Sequence, residues 1–452
     1  MSISERLAQH ASRVRFGDIP ASARAAAKRA LLDTLAVGWA GSQAPGCQAV
    51  WQLQHDRGGA AESTVWGFGG YLPASSAALI NGMSAAALEY DGLHGGFHSD
   101  ACVVPAALAM AEQQRATGAE LLTAQVVGTD IGCRLVAATG LGRDGWWDTP
   151  LFGAFGACAA AISLLRLDTT QGAHAFGLVF ARAGGTMQLN MERSLAKRIA
   201  SGMAAAAGIE AALLAAAGVT APREIFEGRY GLFRMYQADQ GPALLEELGT
   251  RFAVEGGSMK AYPSCACTHA AIWAAQQLMR QQGLHPVDVA SVRVSVSAYV
   301  AGLVGAPFDV APGDQVGAQF SIRYAIACAI QRGGMRVADL EPAAIADPAV
   351  RRLAERVSVE VDPSNDSPRA CTVTLRTTAG AEFALRADHA PGDPPSPLSN
   401  EELLAKAHDC LSQGVHPLAP DEALQVIQAV DRLDSLPGVD RLHVHRFREA
   451  SR

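Results

Sequence analysis

The chain has 452 residues, 49% of them hydrophobic and 18% charged. This is an ordinary globular composition, long enough for two domains and without a disordered bulk. The formal net charge of -7 comes with no basic block, which speaks against a nucleic-acid partner but not against a small anionic substrate that needs only a few local cations.

Nine cysteines show no framework spacing, no signal-peptide core follows Met1, and no apolar run reaches the length and purity of a membrane span. The expectation is a cytoplasmic protein with reduced thiols and no membrane partner. Up to about residue 250 the pattern is helix after helix. Pro20 opens a stretch in which Ala27, Leu31, Leu35 and Trp39 recur every fourth residue, giving one buried stripe. Segments 75–88, 103–115, 119–138 and 153–165 are also periodic but alanine-rich on most faces. Small side chains all round predict helices packed closely on several neighbours.

Between the first two of these segments lies Ala87-Leu-Glu-Tyr-Asp-Gly-Leu-His-Gly-Gly-Phe-His-Ser-Asp100. Acids, histidines and a tyrosine crowd the edge of apolar sequence there, as groups that bind a ligand or move protons do. Gly92, Gly95 and Gly96 break any helix and let the backbone approach a ligand. Further on, Gly140-Leu-Gly-Arg-Asp-Gly145 has the G-x-G-x-x-G form. It follows a helical tract and runs into Trp146-Trp-Asp-Thr-Pro150, so the strand and helix of a dinucleotide site are missing and it reads as a glycine loop.

Thr186 to Gly202 is a second polar island, with Lys197 and Arg198 ahead of a helix of small residues and available for an anion. A third runs from Lys260 to Trp273. In it His269 heads an apolar helix, where the dipole favours a neutral base. Cys265-x-Cys267 is one residue short of the usual zinc pair, and Gly95 and Gly96 keep His94 and His98 off one helix face, so no metal is expected.

Near residue 290 the period changes to two. Val292, Val294 and Val296 form a half-buried strand ended by Tyr299, followed by strands at 357–361 and 371–378 and a hairpin into 383–387. Helical pattern lies at 316–332 and 348–355, a proline-rich linker follows His389, and helices resume at 401–411 and 420–433. The fold class is mainly α with an inserted α+β domain. The expected domains are a helical 1–258, an α+β 259–392, and 393–452 returning to the helical part.

The chain has no G-x-x-x-x-G-K-[ST] and no G-x-S-x-G, and Ser264 has a nearby His but no third triad member. Acids, histidines, a lysine and a tyrosine remain, a set suited to cofactor-free proton transfer.

Taken together, these islands resemble the MmgE/PrpD family along nearly the whole chain. The marks are residues 26–38, Asn81-Gly, His98 with Val103-Val-Pro-Ala-Ala-Leu-Ala-Met-Ala-Glu, Gln171, Ala196-Lys-Arg-Ile-Ala-Ser-Gly, Phe226-Glu-Gly-Arg-Tyr-Gly and Lys260-Ala-Tyr-Pro-Ser-Cys with His269. The resemblance implies a helical domain with an α+β lid, a site drawing on both, a homodimer, and proton transfer next to a carboxylate without a cofactor. The family's Asp-Tyr/Phe-Asp-Asp-Thr…His cluster falls on Glu89, Tyr90, Asp91, Gly92, Leu93 and His98, its lysine on Lys197, its lid histidine on His269 and a lid tyrosine on Tyr299. Gly92 and Leu93 depart from it, removing an acid and a threonine that would hold a substrate hydroxyl or carboxylate.

The roles expected are therefore His98 and His269 as base and acid, Asp91 as the group that orients His98 or a substrate hydroxyl, Lys197 and Arg198 as carboxylate clamps, and Tyr299 as a further catalytic group. Glu89, Tyr90, His94 and Lys260 are expected to bind substrate. The reaction expected is that of a lyase on a small di- or tricarboxylate, a dehydratase of the 2-methylcitrate type. An epimerase of an amino- or imino-dicarboxylate, a decarboxylase and a non-catalytic polycarboxylate binder stand as alternatives.

Overall fold

Capping chemistry sets where the early helices begin. Ser2 and Glu5 form a reciprocal capping box at the start of α1 (Ile3–Arg13). Helices α2 (Ala21–Gly41) and α3 (Cys47–Arg57) follow, then α4 (Ala74–Ala87) and α5 (Asp100–Gln113). A Thr117–Glu120 box starts α6 (Gly118–Thr139). Next come α7 (Asp148–Leu165), α8 (Thr169–Phe180), opened by an Asp168–Gln171 box, and α9 (Ala196–Ala216). The computed structural model describes residues 1–140, 145–237, 244–311 and 313–442.

In it the chain divides into two compact units. One comprises Met1–Ala87, Asp91–Ser258 and the segment from Asn400 onward, the other Leu88–Tyr90 and Met259–Ser399.

In the first unit, α9 packs against α4, α7 and α8, and α6 against α7. Alanine and glycine make this possible. A Cβ on Gly202 would lie 2.0 Å from the Leu79 carbonyl oxygen, and one on Gly82 2.8 Å from the Gly202 Cα, so α4 and α9 touch backbone to backbone. That crossing fixes the first turn of α9, with Lys197, relative to the helix that leads into the acidic loop.

Three expectations need correction here. The region before residue 250 is not purely helical, because Ser63–Thr64 and Tyr71–Leu72 pair as a short antiparallel hairpin. The helix after the glycine loop is not missing: α7 begins at Asp148, with Pro150 in its first turn where a proline costs no hydrogen bond. The helix before the loop is present as read, ending at Thr139 with Gly140 left-handed at φ 57, while Leu141–Asp144 lie outside the described residues. Finally, three helices, Gly118–Thr139, Asp148–Leu165 and Ala196–Ala216, are long and apolar enough by length and composition to cross a membrane. Most of each is buried within the unit.

The second unit holds α10 (His269–Gln281), then β1 (Val289–Val296), α11 (Ala298–Val304), α12 (Ile322–Arg332), α13 (Pro348–Glu355), β2 (Val357–Val361), β3 (Cys371–Thr377) and β4 (Glu382–Ala387). The sheet order is β2-β1-β3-β4. β1 pairs in parallel with β2, Val292 opposite Val357, and antiparallel with β3, Val292 opposite Leu375. The period-two valines of β1 face inward and are buried, and α10 and α12 pack on the sheet and on each other.

The helix expected over 316–332 is broken. Gln315–Gln319 ends at Phe320, and the Ser321 hydroxyl accepts the Tyr324 N–H at 3.2 Å to start α12 afresh. Tyr299 does not end a strand. β1 stops at Val296, Ser297 caps α11, and Tyr299 stands in its first turn, 56% exposed.

The C-terminal segment is tied to α2 by charge. Lys406, on the helix Asn400–Leu411, lies 2.6 Å from the Asp33 carboxylate, with both side chains buried. Burial raises the Asp33 pKa and Lys406 opposes that. Removing the cation leaves a buried carboxyl without its counter-charge. Lys406→Met should therefore cost about 3–5 kcal/mol in denaturant unfolding, while Lys406→Met with Asp33→Leu should recover most of the loss. Equal losses in the two variants would show that the pair does not hold the helix.

Candidate active site

The loop joining α4 to α5 is shaped by backbone pairing. Leu93 and Ser258 exchange N–H···O bonds of 2.8 and 2.7 Å. His94 and Phe97 pair across Gly95 and Gly96, with Gly95 left-handed at φ 65. The glycines thus make a tight turn that leaves a histidine on either side.

Each histidine in this loop has its own acid. His98 Nδ1 donates to Asp91 Oδ2 at 2.7 Å, and Asp91 is fully buried. Because a carboxylate only accepts, Nδ1 carries the proton and Nε2 is the nitrogen left to exchange one. The His98 backbone N–H donates to Thr149 Oγ1 at 3.1 Å. His94 Nδ1 lies 2.7 Å from Ser99 Oγ, which donates to Asp100 Oδ1 at 3.0 Å. Burial pushes the Asp100 pKa up, with His94 and the Ser99 bond opposing. A Cβ on Gly92 would stand 2.2 Å from Asp100 Oδ2. The place where the family carries an acid side chain is therefore filled from the other end of the loop by Asp100.

Trp147, just before α7, completes this wall. Its ring meets the His98 ring edge-on, with centroids 6.5 Å apart, and Lys197 Nζ lies 5.6 Å from its centroid. Beside it, burial pushes the Asp148 pKa up to about 6. Lys197 is not ahead of a helix but inside the first turn of α9, and it is buried. A cation at the positive end of a helix gains nothing from the helix dipole. Arg198, expected as a second clamp, is also buried and donates to the Pro45 carbonyl at 3.1 Å, which ties it to the α2–α3 connection.

In the second unit, Glu89 has a left-handed backbone at φ 52 and its carboxylate lies 3.2 Å from Lys260 Nζ. Both side chains are buried. Tyr90 Oη donates to the Ala261 carbonyl at 3.2 Å. Glu89, Tyr90 and Lys260, expected to bind substrate, thus fasten one another and the start of this unit.

His269 is the first residue of α10 and 2% exposed. Its Nε2 lies 3.2 Å from the Ser264 carbonyl, so that nitrogen carries the proton and Nδ1 has the lone pair. The ring packs edge-on against Tyr262. Burial and the thiols of Cys267 and Cys265 push the Tyr299 phenol up to about 12, which makes it a poor proton donor at neutral pH. Among the described residues, no three of His, Cys, Asp and Glu gather as a metal site.

Sequence reasoning missed Trp147, Ser99 and Asp100. Trp146-Trp-Asp-Thr-Pro150 was available as a signal, since two tryptophans beside an acid at a helix start seldom form an idle loop.

Comparison with known proteins covers residues of both units. The MmgE/PrpD N-terminal domain matches residues 5–245, and the MmgE/PrpD C-terminal domain matches residues 262–433. Human cis-aconitate decarboxylase is 27% identical over 454 residues, covering 96% of this chain and 92% of that protein. Cis-aconitate decarboxylase-like protein oryM of Aspergillus oryzae is 28% identical over 395 residues, 81% of each. Cis-aconitate decarboxylase of Aspergillus terreus is 25% identical over 467 residues, 96% of this chain and 94% of that protein.

The crowding at Gly92 is directly testable. Gly92→Ala should drive the Asp100 carboxylate from its bond to Ser99 and cost about 1–3 kcal/mol by thermal or denaturant unfolding. Adding Asp100→Ala removes the colliding oxygen and should restore most of that stability. No recovery in the double variant would mean the clash lies elsewhere.

Proposed function

Because this chain belongs to the MmgE/PrpD family, we propose that it is a cofactor-independent lyase that decarboxylates a small unsaturated tricarboxylate of the cis-aconitate type. The carrying observation is that Trp147 meets both a buried ammonium, Lys197, and an acid-backed imidazole, His98. Those are the two functions that the chemistry demands. When a C–C bond to a carboxylate breaks, carbon dioxide leaves and the electron pair passes into the neighbouring conjugated carboxylate. A cation must stabilise that charge and an acid must then deliver a proton to carbon.

In this reading Lys197 holds the carboxylate on which charge develops. His98, whose imidazolium Asp91 stabilises through Nδ1, delivers the proton from Nε2. His94, with Ser99 and Asp100 behind it, lines the same loop. Lys260, paired with Glu89, is the second cation to test. His269, with Nδ1 as acceptor, is the second proton mover to test.

The names of the relatives favour decarboxylation over the dehydration expected from sequence alone. Leu93 supports the same choice. It is buried, bonded through its backbone to Ser258, and has no hydroxyl with which to hold that of a hydratable substrate.

Incubating cis-aconitate with the protein in deuterated water should release carbon dioxide and leave one deuteron on carbon in the product. Water exchange at the double bond without carbon dioxide would identify a dehydratase, and label uptake at constant mass an epimerase. No reaction with any polycarboxylate would overturn the enzymatic reading in favour of a binder.

Lys197→Ala should lower kcat/KM by more than about tenfold, a loss of at least ~1.4 kcal/mol of transition-state stabilisation, with the fold intact by circular dichroism. His98→Gln should abolish proton delivery while substrate still raises Tm. Near-wild-type turnover in either variant would remove that residue from the mechanism.

A further inference from the structure

Gly257 is a glycine without a backbone reason. Its φ of -71 and ψ of 145 are extended values open to any residue. What a side chain there would meet is His94. A Cβ on Gly257 would stand 3.0 Å from the imidazole Nε2 and 3.1 Å from Cε1, with the Val254 carbonyl oxygen next at 3.5 Å. The neighbourhood follows from strand-like pairing. Leu93 and Ser258 form an antiparallel bridge, so the residues beside them, His94 and Gly257, come together across it. All four belong to the first unit.

The His94 ring is held by its other nitrogen. Nδ1 lies 2.7 Å from Ser99 Oγ, which is bonded in turn to Asp100. Backbone pairing of His94 with Phe97 fixes the point from which the ring extends. Nε2 is buried and has no hydrogen-bond partner among the described residues. Leaving such a nitrogen unpaired is costly, and a ligand atom that bonds to it removes that cost.

We propose that His94 Nε2, in the space beside Gly257, binds one carboxylate of the substrate and so sets a preference for three carboxylates over two. This rests on the reading of the site as one for a tricarboxylate. In that reading Lys197 holds one carboxylate and a second leaves as carbon dioxide. The third then needs a partner, and His98 is occupied in moving the proton.

The chain behind His94 lets Nε2 act as a donor. With Asp100 ionised, Ser99 donates to it, Nδ1 donates to Ser99, and Nε2 of the neutral ring is left with a lone pair. With Asp100 protonated, the chain runs the other way. Asp100 donates to Ser99, Ser99 donates to Nδ1, and the proton of the ring sits on Nε2, where a carboxylate oxygen can accept it. Burial favours the protonated acid, with His94 and the Ser99 bond opposing.

The test is calorimetric titration of the full chain with propane-1,2,3-tricarboxylate, which has no double bond to take up the electrons of decarboxylation. Glutarate and methylsuccinate, each lacking one of its carboxylates, serve as comparison. Wild type should bind the tricarboxylate at least about tenfold more tightly than either dicarboxylate. Gly257→Ala should weaken the tricarboxylate by about tenfold or more, while at least one dicarboxylate stays within about twofold. His94→Asn should do the same, because its amide can keep the Ser99 bond but offers nothing at Nε2. Thermal unfolding without ligand checks both folds, and a variant that does not fold leaves the decision to the other.

Unchanged tricarboxylate affinity in either folded variant overturns the proposal. So does a wild type that binds three carboxylates no better than two. Equal losses for all three ligands also overturn it, since the whole site would then have shifted. A wild type that discriminates as expected, yet releases no carbon dioxide from cis-aconitate, rejects the decarboxylase reading and leaves His94 as the residue that binds a third carboxylate.

Discussion

An ionisable side chain taken out of water must find a partner, and that demand governs this chain more than any other. Asp33, Glu89, Asp91 and Asp100 are each 4% exposed or less. In a core lined with alanine, few polar groups are at hand to satisfy them. Asp33 has Lys406, Glu89 has Lys260, Asp91 has His98, and Asp100 has Ser99 with His94 beyond it. The loop between α4 and α5 takes its course from these partnerships, and so do the link to the C-terminal helix and the entry to the second unit. His98 and Asp91, proposed for chemistry, form one of these pairs.

Small side chains supply the other half of the arrangement. Alanine-rich helices gain little from any one contact, so they pack by bringing backbones together. The Gly82–Gly202 crossing is where this is most severe. It sets α9 against α4, so that a buried lysine at the head of one helix belongs to the same unit as the acidic loop at the end of the other. Trp147 is large in a region of small residues, and it fills the space that this packing leaves beside Lys197 and His98.

The sequence made the architecture legible wherever a single period ran uninterrupted. Residues 21–41, the valines of β1 and the hairpin of β3 and β4 lie where the patterns put them. Local capping and turn chemistry were harder to see. Ser321 restarts a helix that hydrophobic periodicity carries straight through, and Ser297 converts the end of β1 into α11, moving Tyr299 onto an exposed turn. For the candidate site, His98, Lys197, Asp91 and His269 were visible as titratable groups beside apolar tracts. Their partners were not, because a Ser99–Asp100 chain or a Trp147 ring is defined by distance in space. Nor were the partners of Glu89, Tyr90 and Arg198, which are the Lys260 ammonium and the Ala261 and Pro45 carbonyls.

The order in which the chain is made has a bearing on all this. Asp33 is synthesised long before Lys406, and Glu89 long before Lys260. Each early carboxyl must wait for a cation that emerges from the ribosome much later. Until then, sealing either acid into a finished core costs several kcal/mol, so the N-terminal helices cannot complete their packing as an independent early product. The buried pairs thus act as a timing constraint, since the last helices translated are needed to neutralise one of the first.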